Sequence, residues 1–298
     1  VRRDWPVPRS GTGEVLVRVA AAAVNNTDLW ARRGAYGRPG DPDAVGGWKG
    51  VPLEFPLIQG IDIAGTVVAV GEGVDSGWIG RRVIVDPAAR YEDGFPADIT
   101  GSELDGGFAE YHRCAAAQCH DVGGSPLSDV ELACLPTAYG TAMGMINRAG
   151  CRAGERVLVT GSSGGVGSAA IQLLVDRGCH VVAYTSESKV ELVRTFGPAE
   201  ILARAPGAPA SLDPVDAVVD VAGGGEFGAL VDRLRMGGRL VTAGAIAGPV
   251  VPLDLRRLYL SHRSIIGSTM HTQGDFGDLV AAAVTGGVTP LVSATYPL

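Results

Sequence analysis

Residues 156–174, RVLVTGSSGGVGSAAIQLL, decide the fold of this chain. A short apolar run, fit for a buried strand, leads into a glycine-rich turn and then an amphipathic helix. Gly161, Gly164 and Gly167 stand where a dinucleotide-binding turn needs residues without a Cβ. One permits the sharp turn, one the close approach of a phosphate, and one the packing of helix on strand. A pyrophosphate placed over Gly164, Gly165, Val166 and Gly167 meets free backbone N–H groups and the positive end of the helix dipole, so no basic side chain is required. No lysine follows the turn, which excludes a Walker A loop. The plainer reading is a tight strand-to-helix turn that binds nothing.

Downstream, HVVAYT, AEIL, VDAVVDVAG, GRLVTAG and SIIGSTM read as strands, with helices opening near Ser188 and Glu226. Continuous apolar strands alternating with helices predict an α/β fold with a parallel sheet covered on both faces. Upstream, from Val15 to about Val122, short strands with Gly and Pro punctuation (EVLVRVAAAAV, IAGTVVAVG, RRVIVDP, GGFAEYHRC) predict an irregular β domain. A helix is expected to open near Ser128. Residues 37–56 should form a long surface loop that borders a site or merely connects, and VTPLVSATYPL reads as a final strand that stops abruptly. The expected division is a β domain over 1–122, a dinucleotide domain over 123–286, and a return to the first domain over 287–298.

The chain's 298 residues are 46% hydrophobic and carry a formal charge of −7. That length suggests about two domains. No Lys/Arg run is present, which argues against nucleic acid, and the positive charge is almost all arginine, Lys49 and Lys189 excepted. No apolar run is long enough to span a bilayer and the N-terminal residues lack a signal-peptide core, so a soluble, cytoplasmic protein without a membrane partner is expected. Five scattered cysteines, an odd number, read as free thiols in a reducing compartment.

Cofactor choice is set where the second strand of the dinucleotide domain ends, here in VVAYTSESK. Thr185, Ser186 and Ser188 offer hydroxyls and Lys189 a cation, which suits the 2′-phosphate of NADPH, although Glu187 lies among them. Their alternative role is to cap and solvate a helix start. The turn also satisfies the short-chain dehydrogenase pattern Thr160-Gly161-x-x-x-Gly165-x-Gly167, but no Tyr here has Lys four residues on.

Taken together, Asn25-x-x-Asp28 followed by Arg32-x-Gly34, GIDIAGTVVAVGEGV (60–74), DGGFAEY (105–111) and GSSGGVGSAAIQLL (161–174) resemble the medium-chain dehydrogenase/reductase superfamily over essentially the whole chain. Its quinone oxidoreductase branch is the most similar. The resemblance implies a GroES-like catalytic domain followed by a Rossmann domain. In zinc-dependent relatives a Cys, a His and a Cys hold the catalytic metal, and those positions correspond here to Asn25, Ile61 and Thr137. The structural zinc of those relatives uses four cysteines, and Val83 to Glu110 contains none. No metal is therefore expected. His112, Cys114, Cys119 and His120 lie close in sequence but not at a standard zinc spacing.

Asp62, an acid in an apolar run, is expected to be a hydrogen-bonded structural carboxylate; the alternative is a substrate-side acid with a pKa raised by burial. The resemblance further implies a nicotinamide near Asn25 and Thr141, its carboxamide held by backbone around Gly244, Ala245, Ser268 and Thr269. Asn25, orienting ribose or substrate, and Thr137, a hydrogen-bond donor, are the candidate catalytic residues. Trp30 stands where relatives carry Tyr, and Tyr139, Tyr91 or water remain open as proton donor. SIIGSTM pairs across a homodimer in relatives, which also begin before Val1 and continue past the final YPL.

The expected activity is zinc-free hydride transfer from NADPH to a small molecule, a quinone or α,β-unsaturated carbonyl, because conjugation spreads the developing charge without a Lewis acid. Cofactor binding without catalysis and zinc-free alcohol or ketone reduction are the alternatives.

Overall fold

The computed structural model describes residues 5–33, 54–205 and 207–298. The chain forms two compact units, residues 1–137 with 272–298, and residues 138–271.

The first unit contains β1 (Glu14–Ala23), α1 (Asn26–Arg33), β2 (Asp62–Val70), β3 (Arg82–Val85), β4 (Ala88–Glu92), β5 (Phe95–Ile99), β6 (Tyr111–Ala115), β7 (Cys119–Asp121) and α2 (Asp129–Ala133). Five of the strands form one antiparallel sheet in the order β6-β1-β2-β3-β7, while β4 and β5 make a separate hairpin. Alternation along the strands puts Val15 and Val17 of β1, Val67 of β2 and Val83 and Val85 of β3 into one core. The β4–β5 turn is Asp93-Gly94, both at positive φ (51° and 82°), the backbone twist that a two-residue hairpin loop requires. The strand expected over GGFAEYHRC begins only at Tyr111. Before it, the N–H groups of Gly106, Gly107 and Phe108 donate to the carbonyls of Ile58, Gly60 and Gln59, and this lashes DGGF to the start of the GIDIAG segment.

The second unit contains α3 (Ala138–Arg148), β8 (Arg156–Val159), α4 (Gly165–Asp176), β9 (His180–Thr185), α5 (Val190–Arg194), β10 (Glu200–Ala203), β11 (Val215–Asp220), α6 (Phe227–Asp232), β12 (Leu234–Thr242), α7 (Leu255–Tyr259) and β13 (Ser264–Gly267). Its six strands are parallel in the order β10-β9-β8-β11-β12-β13. The chain runs outward from β8 through β9 to β10, then returns to the other side of β8 with β11. Strand order therefore reverses beside β8, the place where doubly wound sheets bind ligands at their carboxyl ends. Every residue of β11 is buried, as both-face coverage demands.

The chain then returns to the first unit through α8 (Gln273–Thr285). Ser125 donates its hydroxyl to the Ala283 carbonyl at 2.6 Å, and Phe276 meets His120 edge-on at 4.9 Å between ring centroids. Helix α2, capped by Ser128 with Glu131 reciprocating, packs on β1 and β2. These contacts place the division at 137/138 and 271/272, whereas the sequence pattern suggests 122/123 and 286/287. Residues 287–298 carry no regular structure, and the expected final strand is absent there. Pro290 and Pro297 have no N–H to give to a ladder. Most of the loop expected over 37–56 lies outside the described residues.

Candidate functional site

Every residue read as cofactor-binding belongs to the second unit, and apart from Thr141 on α3 all lie at or just beyond the carboxyl ends of β8, β9, β12 and β13. At β8 the three glycines divide the work as their spacing suggests. Gly161 has φ 57°, and a Cβ there would meet Val221 Cγ2 at 2.6 Å. A Cβ at Gly167 would stand 2.2 Å from the Gly161 carbonyl oxygen, so no side chain fits between helix and turn. Gly164 is different: it is exposed, and an added Cβ would find only the Gly161 oxygen at 3.4 Å. It is the N-cap of α4 with no side chain capping the helix, so the first-turn N–H groups of Gly165, Val166 and Gly167 have no intrahelical acceptor. An uncapped, glycine-lined helix start is a cradle of the right chemistry for a pyrophosphate.

Asp220, at the end of β11, holds this edge together and carried no signal in the sequence. It is fully buried, and it accepts Thr160 Oγ1 at 2.6 Å, the N–H groups of Ala222 and Gly223, and Thr242 Oγ1. Its neighbour Val221 meets Gly244, where a Cβ would lie 2.5 Å from the Val221 carbonyl. Gly244 and Ala245 are half-buried, Thr269 is exposed, and Ser268 is buried with its hydroxyl unpartnered, an orphaned donor suited to a ligand's polar group. Thr141 Oγ1 faces Met270 Sδ at 4.0 Å.

At the end of β9, Thr185 is buried, so the groups presented to solvent are Ser186, Glu187, Ser188 and Lys189, the two serine hydroxyls 3.3 Å apart and an acid between them. No side chain caps the short turn that Ser186 opens. Arg204, just beyond β10, lies beside the end of β9, with its Nε 3.9 Å from Glu226 Oε2. Its N–H donates to the Thr185 carbonyl at 2.7 Å, and its guanidinium lies over the Tyr184 ring at 5.4 Å. Sequence reading missed this second cation. Its only signal is an arginine one residue past a strand that pairs with β9.

In the first unit, Asn25, Asp28, Asp62 and Thr137 converge. Asp28 sits in the first turn of α1, where its Oδ2 accepts the Asn25 N–H at 2.8 Å and its Oδ1 accepts the N–H of Gly60 at 3.1 Å. The carboxylate thus starts the helix and ties it to the strand-entry segment. The Asn25 side chain, freed from capping, donates from Nδ2 to Asp62 Oδ2 at 2.9 Å. Asp62 Oδ1 accepts both the Thr137 N–H at 2.8 Å and the Thr137 hydroxyl at 2.6 Å. Asp62 is buried, and the cost of desolvating a charge pushes its carboxyl up to about 7, against the Thr137 and Asn25 hydrogen bonds and with a further push from Asp28. Burial also raises Asp28, opposed by its backbone donors. Asp62 is hydrogen-bonded, as the structural reading expects, and raised by burial, as the alternative requires, and the two candidate catalytic residues, Asn25 and Thr137, are the ones that hold it.

Residues 11–124 match the family model of the alcohol dehydrogenase GroES-like domain, and residues 165–285 match that of the zinc-binding dehydrogenases. An acryloyl-coenzyme A reductase from Metallosphaera sedula is 30% identical over 310 residues, 99% of this chain and 89% of its own. The chain belongs to the medium-chain dehydrogenase/reductase superfamily. A solved candidate alcohol dehydrogenase from Sinorhizobium meliloti is 44% identical with a TM-score of 0.89, over 97% of this chain and 83% of that one. The 2-octenoyl-CoA carboxylase reductase solved with NADP and 2-octenoyl-CoA is 28% identical with a TM-score of 0.81, over 96% and 74%. Membership makes this an oxidoreductase that uses a nicotinamide cofactor.

Zinc-dependent members of the superfamily need three soft or borderline donors, and the positions that the resemblance sets against them are Asn25, Ile61 and Thr137. Here the amide and the hydroxyl both donate to Asp62, and Ile61 is a buried hydrocarbon. The donor set does not fit a catalytic zinc. Among the described residues no group of three or more His, Cys, Asp or Glu is placed to hold a metal. Cys114 and Cys119 instead face each other as thiols, Sγ to Sγ 3.6 Å, within the β-sheet core. Of the tyrosines read as proton donors, Tyr91 gives its hydroxyl to Asp86 at 2.7 Å, and Tyr139 accepts from Gln172 at 2.9 Å.

Proposed function

We propose that this protein is a zinc-independent reductase that passes a hydride from NADPH to the conjugated C=C of an α,β-unsaturated carbonyl compound, an enoyl thioester foremost, or to a quinone. The observation that carries this reading is the buried Asp62 carboxyl held by Asn25 and Thr137 where metal-using relatives bring three ligands. Reduction of an isolated ketone concentrates charge on one oxygen, which a metal neutralises. Conjugate reduction spreads that charge, and hydrogen-bond donors such as those of Asn25 and Thr137 suffice for it. The acryloyl-CoA and octenoyl-CoA reductases among the relatives act on conjugated thioesters, which supports the choice.

Preference for NADPH rests on Ser186, Lys189 and Arg204 around the end of β9. Gly161, Gly164, Gly165, Val166 and Gly167 take the pyrophosphate, while Thr141, Gly244, Ala245, Ser268 and Thr269 serve the nicotinamide end. Among the described residues β13 is the last strand of its sheet and pairs on one side, with β12, so its outer edge is available to the same strand of a second copy in a homodimer. Five free thiols suit the cytoplasm. Among the described residues no helix is long and apolar enough to cross a membrane.

Calorimetric titration of metal-analysed protein with NADPH and then NADH, followed by assays on enoyl-CoA thioesters, quinones and simple ketones, tests the reading. Tighter NADPH binding and turnover of conjugated substrates without zinc are expected. Binding without turnover marks a cofactor-binding protein, turnover of ketones alone marks a ketone reductase, and stoichiometric zinc overturns the assignment at Asn25, Ile61 and Thr137.

A further inference from the structure

We propose that the Thr137 hydroxyl delivers the proton that completes the reduction, and that Asp62 holds the proton which replaces it. The inference rests on the reading of the chain as a conjugate reductase and supplies the proton source which that reading lacks.

A hydroxyl has one proton to give. While Asp62 is ionised, the Thr137 proton is committed to it, Oγ1 to Oδ1 at 2.6 Å, within the range of charge-assisted O–H···O⁻ bonds. If Oδ1 carries a proton the bond reverses: the acid donates into Oγ1, and the hydroxyl proton is free to point at a substrate. The reversal sacrifices no other bond. Oδ1 keeps a lone pair for the Thr137 N–H at 2.8 Å, and Oδ2 still accepts from Asn25 at 2.9 Å. The surroundings favour the neutral acid. No ion pair among the described residues includes Asp62, and the titratable groups that act on it are acids: Asp28 on α1 and Cys134 at the end of α2. Cys134 is itself pushed up to about 11 by burial and then by the Asp62 charge. Asp62 is the positioning residue and proton reserve; Thr137 is the group that meets the substrate.

The step balances. A bound dihydronicotinamide would supply the hydride for the new C–H bond at the β-carbon and be oxidised in doing so, and the electron pair of the former C=C would remain at the α-carbon. That pair takes the Thr137 proton as the Oγ1–H bond breaks, and Oγ1 takes the Asp62 proton as the Oδ1–H bond breaks. The saturated product departs from an ionised Asp62, which a proton from water restores.

The test uses the full chain with NADPH and a 2-methyl-2-enoyl-CoA, whose protonation creates a stereocentre. Wild type should give a single α-epimer. T137V should lower kcat by about a hundredfold, the usual worth of a positioned acid. It should also yield both epimers while leaving the Kd of NADPH unchanged. T137S should recover the single epimer and most of the rate, and D62N should slow turnover and flatten the pH profile of kcat. A purely structural Thr137 would not alter the stereochemistry of protonation. T137V with a single epimer and near wild-type kcat overturns the relay while conjugate reduction stands, and that outcome does not depend on whether D62N folds. Wild type inert towards every conjugated substrate overturns the parent reading and the relay with it.

Discussion

Thr160 donates its hydroxyl to Asp220 across two neighbouring parallel strands, Oγ1 to Oδ1 at 2.6 Å. The same oxygen of Thr160 accepts the Val221 N–H at 3.1 Å, so one hydroxyl stitches the glycine turn after β8 to the loop after β11. Asp220 is fully buried and needs every donor it has.

T160V keeps the shape of the side chain but leaves a buried carboxylate and a backbone N–H each short of a partner. The expected cost is about 1–3 kcal/mol. Urea unfolding should show a lower midpoint with an unchanged slope.

Gly164 and Gly167 separate binding from folding. G167A forces a Cβ to within 2.2 Å of a backbone oxygen and should prevent the turn from forming, lowering Tm and abolishing NADPH binding together. G164A meets nothing closer than 3.4 Å in the protein, so Tm should hold while the methyl group occupies the space that a phosphate needs. Thermal melts and calorimetry on the pair decide it: loss of binding in G164A at unchanged Tm is the expected signature.

Lys189 and Arg204 are expected to read the 2′-phosphate. K189A should weaken NADPH by about tenfold or more, the scale of a lost hydrogen bond to a charged group, and leave NADH as it was. R204A should act in the same direction, with some loss of stability as well, because the guanidinium also covers the Tyr184 ring. Equal losses for the two cofactors would place the phosphate elsewhere.

Much of this is legible in the sequence, for reasons that differ from residue to residue. RVLVTG and VDAVVD announce themselves because strands buried on both faces must be apolar throughout. Gly161, Gly164 and Gly167 are readable because only glycine fits two of those places and the third must stay open. The unit boundaries are not, because α2 and α8 join the first unit through contacts such as Ser125 to Ala283, 158 residues apart. Asn25 and Asp62 meet across 37 residues, and no local pattern shows that the amide turns away from its own helix towards the acid. Asp220 and Arg204 matter through neighbouring strands, which a linear reading does not rank.

Cys114 and Cys119 should behave as core groups. Both are buried, and the Cys114 thiol is raised well above its ordinary value by its neighbour's sulfur and by burial. The thiolate is the reactive form. Maleimide labelling at pH 8 should therefore spare both cysteines in the folded protein and reach them only as denaturant opens the sheet, with peptide mapping as the readout.

Asp62 should leave its mark on stability as well as on turnover. Its folded-state carboxyl lies at about 7, above the 3.8 of an ordinary aspartate, so the native state binds this proton more tightly than the unfolded chain does. The linked stabilisation is fully present below about pH 4 and is lost as pH rises through about 7, because above it a charge must be kept in the dry interior. Burial raises Asp28 and Glu103 as well, so the comparison that isolates Asp62 is wild type against D62N. The amide introduced by D62N can keep the Thr137 donors on its carbonyl oxygen if Asn25 turns its own amide over to present oxygen to the new NH2 group. The difference in Tm between D62N and wild type should therefore shift in favour of D62N from pH 4 to pH 8 by several degrees, since each kcal/mol is worth about 2–4 °C in a domain of roughly this size. A difference that stays constant across that range would mean that Asp62 is ionised throughout, and would remove the proton reserve from which Thr137 draws.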